Sequence, residues 1–79
     1  MEVELLLFGI AREIVGSDKT TLALEDSSVK GLKEQMGKQY PKMLKLNSFM
    51  VALNNEYAAD SQKISKDDEI AIIPPVSGG

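Results

Sequence analysis

Only one stretch of this 79-residue chain spaces its apolar side chains as a long helix requires. Val29, Leu32, Met36 and Tyr40 form one stripe of a helix expected from Ser28 to Tyr40, and Pro41 stops it. The preceding Glu25, Asp26, Ser27 and Ser28 make a helix-start signal, because their side-chain oxygens can accept from unpaired first-turn amides. Gly31 and Gly37 each cost about 1 kcal/mol relative to alanine, so packing must hold this helix. With a single long helix, a ferredoxin-like fold is disfavoured, and the rest of the core must come from strands.

Strand patterns lie on both sides of the helix. Glu2 to Phe8 starts with strict alternation, placing Val3, Leu5 and Leu7 on one face. Leu6 and Phe8 put apolar groups on the other face. Gly9 to Gly16 suits one or two helical turns, with Ile10 and Ile14 apolar and Gly16 as the stop. Lys19 to Leu24 reads as a second strand with Leu22 and Leu24 inward and Thr21 and Ala23 outward. Phe49 to Leu53 is a third, followed by Asn54 and Asn55, which tolerate a left-handed turn, and by a short strand around Tyr57. Lys66, Asp67 and Asp68 form the turn before a last strand, Glu69 to Ile73. There Ile70 and Ile72 share one face and Ala71 and Ile73 the other.

The order strand, strand, helix, strand, strand predicts an α+β domain of β-grasp (ubiquitin-like) type. It would have a mixed four- to five-stranded sheet, one main helix packed on one face and a flexible C-terminal tail. Residues 1–79 read as one domain, with 74–79 as the projecting tail. In a β-grasp the first and last strands are central neighbours, so Leu6 and Phe8 would lie near Ala71 and Ile73 on the face away from the helix. These residues are either a docking patch or central-strand side chains covered by loops, and parity alone does not separate the two.

Composition narrows the chemistry. Cysteine and histidine are both absent. That removes disulfides, thiolate metal sites, a cysteine nucleophile and the usual general base. No EF-hand spacing of acids appears, so no resident metal or other cofactor is expected. A net charge of −3 is the wrong sign for phosphate-backbone binding and favours a basic protein surface as partner; no nucleic acid is expected. Met1 leads straight into a strand pattern without signal-peptide features, so a cytoplasmic protein with no membrane association is expected.

The segment Ile72 to Gly79, IIPPVSGG, is the most specific one. Pro74 and Pro75 cannot donate to a sheet ladder and favour extended backbone, so they end the last strand as a stiff rod. Val76 and Ser77 extend it, and Gly78 and Gly79 give it a slender tip. Six residues reach roughly 20 Å when extended. The functional group at the tip is the Gly79 α-carboxylate, ionised at neutral pH and a poor electrophile until activated, most simply as an acyl-adenylate. In a chain without cysteine, sulfur could be carried only as a C-terminal thiocarboxylate.

Glu69 to Gly79, EIAIIPPVSGG, resembles the C-terminal signature of the small-subunit family of molybdopterin synthase, β-grasp sulfur carriers ending in a double glycine. Leu5 to Gly16, LLLFGIAREIVG, resembles that family's first strand and short helix, including Arg12 and Glu13. The resemblance spans the whole chain, and its specific motif is the tail. One departure is Asp67 and Asp68 where the family usually has a glycine-aspartate turn; Asp67 is expected to tolerate positive φ.

The resemblance implies a non-catalytic sulfur-donor subunit. An E1-like adenylating enzyme would use ATP and magnesium on Gly79, and a sulfurtransferase or cysteine desulfurase would replace AMP with sulfur. Pro74, Pro75, Val76, Ser77 and Gly78 would then insert into the large catalytic subunit, in a heterotetramer. There sulfur passes to cyclic pyranopterin monophosphate in molybdenum cofactor biosynthesis, and the catalytic side chains belong to the large subunit. The family's docking surface falls here on Phe8, Tyr57 and Ile73, two of which parity already puts on the face away from the helix. The alternatives are a sulfur carrier for thiamine thiazole or tRNA thiolation, and a ubiquitin-like protein modifier.

Overall fold

The computed structural model describes residues 1–45 and 49–74. Along the chain come β1 (Glu2–Leu7), α1 (Gly9–Val15), β2 (Lys19–Ala23), α2 (Val29–Gln39), a 3-10 helix (Pro41–Lys45), β3 (Met50–Leu53), β4 (Glu56–Tyr57) and β5 (Ile70–Ile73). The strands form one sheet in the order β2-β1-β5-β3-β4. β1 and β5 run parallel, and the other three pairings are antiparallel. The first and last strands therefore lie side by side within a mixed sheet, the expected β-grasp arrangement.

Alternation decides which face is buried. Val3, Leu5 and Leu7 of β1, Leu22 of β2, Val51 and Leu53 of β3, and Ile70 and Ile72 of β5 meet Val29, Leu32 and Met36 of α2 in one core. Each such side chain contributes roughly 1.5–3 kcal/mol on full burial. α2 is held as its sequence requires: the Ser28 hydroxyl accepts from the Gly31 amide at 3.1 Å. Two further first-turn amides, of Val29 and Lys30, donate to the Gln62 and Asp60 carbonyls. Tyr40 is the C-cap, half-buried, with its hydroxyl 3.3 Å from Thr20 Oγ1.

Several local expectations are corrected. β1 ends at Leu7, and Phe8 is instead the extended N-cap residue of α1. Within α1 the buried residue is Ala11, while Ile10 is exposed and Ile14 half-buried. Ala11 takes the fully buried position where α1 meets the core, and Ile14 and Val15 pack partly against it. Pro41 ends α2 but also starts the 3-10 helix, which buries Met43. The turn before β5 does not use positive φ at Asp67. Among the described non-glycine residues only Asn54 and Asn55 adopt it, at 54° and 71°. Its closure comes from the Asp68 carboxylate, which accepts from the Ser65 amide at 2.8 Å.

The tail from Pro75 to Gly79, including its expected flexibility, lies outside the described residues. Among the described residues no helix is long and apolar enough to cross a membrane.

Candidate functional site

Across the sheet face opposite α2, register builds a row from four strands. Leu6 of β1 pairs with Ala71 of β5, Ala71 with Ala52 of β3, and Ala52 with Tyr57 of β4. Two alanines in the middle, flanked by larger groups, leave a hollow of about 320 Å³ lined by Leu6, Phe8, Ala52, Asn55, Tyr57, Glu69, Ala71 and Ile73. Ala52 is buried in its floor yet stands outside the main core. Phe8 is 51% and Tyr57 68% exposed. Large aromatic groups left open around an apolar depression are the composition of a protein-docking surface.

Three local features fix this geometry. The Asn54 and Asn55 turn reverses β3 into β4 with both residues left-handed, which places Tyr57 opposite Ala52. Asn54 then ties that turn to the start of β5: its Nδ2 donates to Asp68 at 3.0 Å, and its Oδ1 accepts from the Glu69 amide at 2.9 Å. The hydrogen bonds to Asp68, from the Ser65 amide first and from Asn54 second, hold its carboxyl below the usual carboxylate value. Finally, Gly9 adopts φ of 54°, and a Cβ there would stand 3.2 Å from Pro74 Cγ. The point where the chain leaves β5 thus lies against the β1–α1 junction, next to Phe8.

Phe8, Tyr57 and Ile73, singled out from the sequence, are therefore brought together around one hollow. Pro74 follows Ile73 directly and is half-buried. Pro75, Val76, Ser77, Gly78 and Gly79 lie outside the described residues. Met50 and Ala52 were not anticipated. Met50 pairs with Ile73 across β3 and β5 and is 42% exposed. The alternation that buries Val51 and Leu53 puts both residues on the opposite face, and that signal was present in the sequence.

A family model described as the ThiS family matches residues 5–79. The chain belongs to the ThiS family. Relatives at full length agree. The molybdopterin synthase sulfur carrier subunit of Arabidopsis thaliana is 38% identical over 81 residues, covering 100% of this chain and 84% of its own. The protein of the same name from Dictyostelium discoideum is 39% identical, covering 99% and 96%. Among solved structures, SAMP1 from Haloferax volcanii, a small archaeal modifier protein, superposes with a TM-score of 0.80 at 26% identity, covering both chains fully. In this member of the ThiS family the matched region contains the whole hollow and runs through Gly78 and Gly79.

Proposed function

We propose that this chain is the sulfur carrier subunit of a molybdopterin synthase, with Gly79 as the group that is loaded and unloaded. The observation that carries the reading is spatial. In a chain whose ThiS-family match runs through Gly78 and Gly79, an open apolar hollow lies beside Pro74, where the chain leaves β5. A partner seated on Phe8, Tyr57 and Ile73 would be positioned to receive the segment Pro74 to Gly79.

The chemistry follows from the carboxylate. An E1-like partner with ATP and magnesium forms the Gly79 acyl-adenylate and releases pyrophosphate. A persulfide sulfur from a sulfurtransferase or cysteine desulfurase then attacks the acyl carbon and AMP leaves. Cleavage of the resulting S–S bond by a second thiol frees the thiocarboxylate. This chain binds no cofactor in that cycle; its role is to present the tip. The relatives' name is that of one subunit of a synthase, which supports a large catalytic subunit as the other partner. Sulfur transfer to cyclic pyranopterin monophosphate takes place in that subunit.

Mass spectrometry after incubation with the adenylating enzyme, ATP and a sulfur donor tests the reading. The expected product has one oxygen replaced by sulfur, located at Gly79. A thiocarboxylate that persists after deletion of Gly79 would overturn it. Reconstitution with a large synthase subunit separates this function from sulfur carriage for thiazole or tRNA thiolation.

A second reading, a ubiquitin-like modifier, is favoured by the likeness to the Haloferax modifier protein. It predicts isopeptide conjugates between Gly79 and lysines of other proteins in cell extract. Their absence, together with turnover in the reconstituted synthase, rejects that reading.

A further inference from the structure

Charge is segregated along this chain. Residues 29–45 hold five of its nine basic side chains, Lys30, Lys33, Lys38, Lys42 and Lys45, against a single acid, Glu34. The remainder carries four basic side chains against eleven acidic. This basic segment is α2 and the 3-10 helix, so it lies on the side of the sheet opposite the hollow. Lys33 is paired with Asp60 at 2.7 Å; among the described residues no such pair holds Lys38, Lys42 or Lys45.

The same corner is open and apolar. Leu44 packs over Gly37 yet is 70% exposed. A groove of about 220 Å³, lined by Ile14, Gln39, Tyr40, Pro41 and Lys42, opens where α1 approaches the end of α2. Compensation of the helix dipole accounts for a cation in the last turn of α2. It does not account for lysines continuing through the 3-10 helix around an exposed leucine.

We infer that this corner is a second docking surface, and that its occupant is an acidic protein segment carrying an apolar anchor. Lys38, Lys42 and Lys45 face the carboxylates of that segment, and the groove floored by Ile14 and Tyr40 takes the anchor. Charge complementarity excludes a basic partner here, although the acidic remainder of the chain suits one. A nucleic-acid backbone offers no apolar anchor and would meet that acidic remainder, and an anionic bilayer needs a broader apolar face than one leucine provides. The inference does not rest on sulfur carriage: the hollow lies on the other face of the sheet and stays open while the corner is occupied.

The test is an NMR titration of the isotope-labelled full chain with a short peptide bearing a Leu-Phe pair between Asp and Glu residues. Amide shifts are expected at residues 38–45 and at Ile14, weakening as salt screens the charges. Binding is expected to fall roughly tenfold in a Lys42→Glu, Lys45→Glu variant, which leaves the cation of the last α2 turn in place and keeps the melting temperature within a few degrees of the parent. No response at the corner, or an equal response to the Asn/Gln analogue of the peptide, overturns the inference. So does tighter binding there of a single-stranded oligonucleotide or of phosphatidylserine vesicles, or self-association of the chain through the same residues. Failure here leaves Gly79 thiocarboxylation intact, and loss of thiocarboxylation leaves this result standing.

Discussion

Leu6 and Ala71 stand opposite each other across the parallel ladder of β1 and β5, on the face that α2 does not cover. Both are half-buried; Ala71 and Ala52 leave the centre of the hollow open, and Leu6 stands at its side. A leucine at position 71 would fill it from below. Ala71→Leu is therefore expected to weaken association with a large synthase subunit by about 2 kcal/mol, as loss of a central anchor site does. The melting temperature should stay within a few degrees of the parent. Isothermal titration calorimetry beside a thermal scan checks both.

Tyr57 probes the same surface from its rim. Its side chain is exposed on a two-residue strand, so Tyr57→Ala should alter stability by no more than about 0.5 kcal/mol. Loss of its ring from a partner's pocket is expected to cost at least about 2 kcal/mol of binding. Denaturant unfolding and a binding isotherm on the same variant give the two values. Equal, small losses in both would place Tyr57 outside the interface.

Gly31 and Gly37 look equivalent in the sequence, and the structure gives them opposite signs. A Cβ on Gly31 would collide with the Asp26 carbonyl oxygen and stand 2.7 Å from Asp26 Cβ, so the loop before α2 would have to move. Gly31→Ala is expected to destabilise by roughly 1–3 kcal/mol, as overpacking does. A Cβ on Gly37 would meet only the Leu44 side chain, at 2.6 Å from Cδ2, and Leu44 is exposed and free to swing aside. The gain in helix propensity, up to about 1 kcal/mol, then makes Gly37→Ala neutral or stabilising. Urea unfolding of the two variants tests the contrast.

Much of this was legible because alternation and helical spacing are local signals. Val3, Leu5, Leu7, Ile70 and Ile72 could be assigned to the core from parity, and Phe8 and Ile73 to the other face. Tyr57 was different: no periodicity marks a two-residue strand, and only the family resemblance pointed to it. Met50 and Ala52 needed no more than the parity already applied to β1 and β5. What parity could not supply was register. That Ala52 lies opposite both Ala71 and Tyr57, making a hollow rather than a flat patch, depends on how three strands pair. Pro41 reads equally as a stop and as a first helical residue, so the sequence does not mark the 3-10 helix. Asp68 reads as a turn residue in the sequence, but its role depends on Asn54, fourteen positions away.

That pairing gives the fold a defined acid response. Hydrogen bonds from the Ser65 amide and Asn54 favour the charged form of Asp68 and lower its pKa from 3.8. A carboxyl with a depressed folded-state pKa contributes stability above its unfolded value, and loses it as pH falls through the folded value. The contribution should be complete well above pH 3.8 and disappear below it. Asp68→Asn removes the charged acceptor at every pH, so the variant should melt below the parent near neutrality. The two curves should converge in acid. Asn54→Gly, which keeps the left-handed backbone without strain, should reproduce part of the pH dependence, since it removes the second donor to Asp68 along with the tie to Glu69. Melting temperatures of the three proteins across the acid range test this; a parent–variant gap that stays constant through pH 3.8 would show that Asp68 does not titrate as its contacts require.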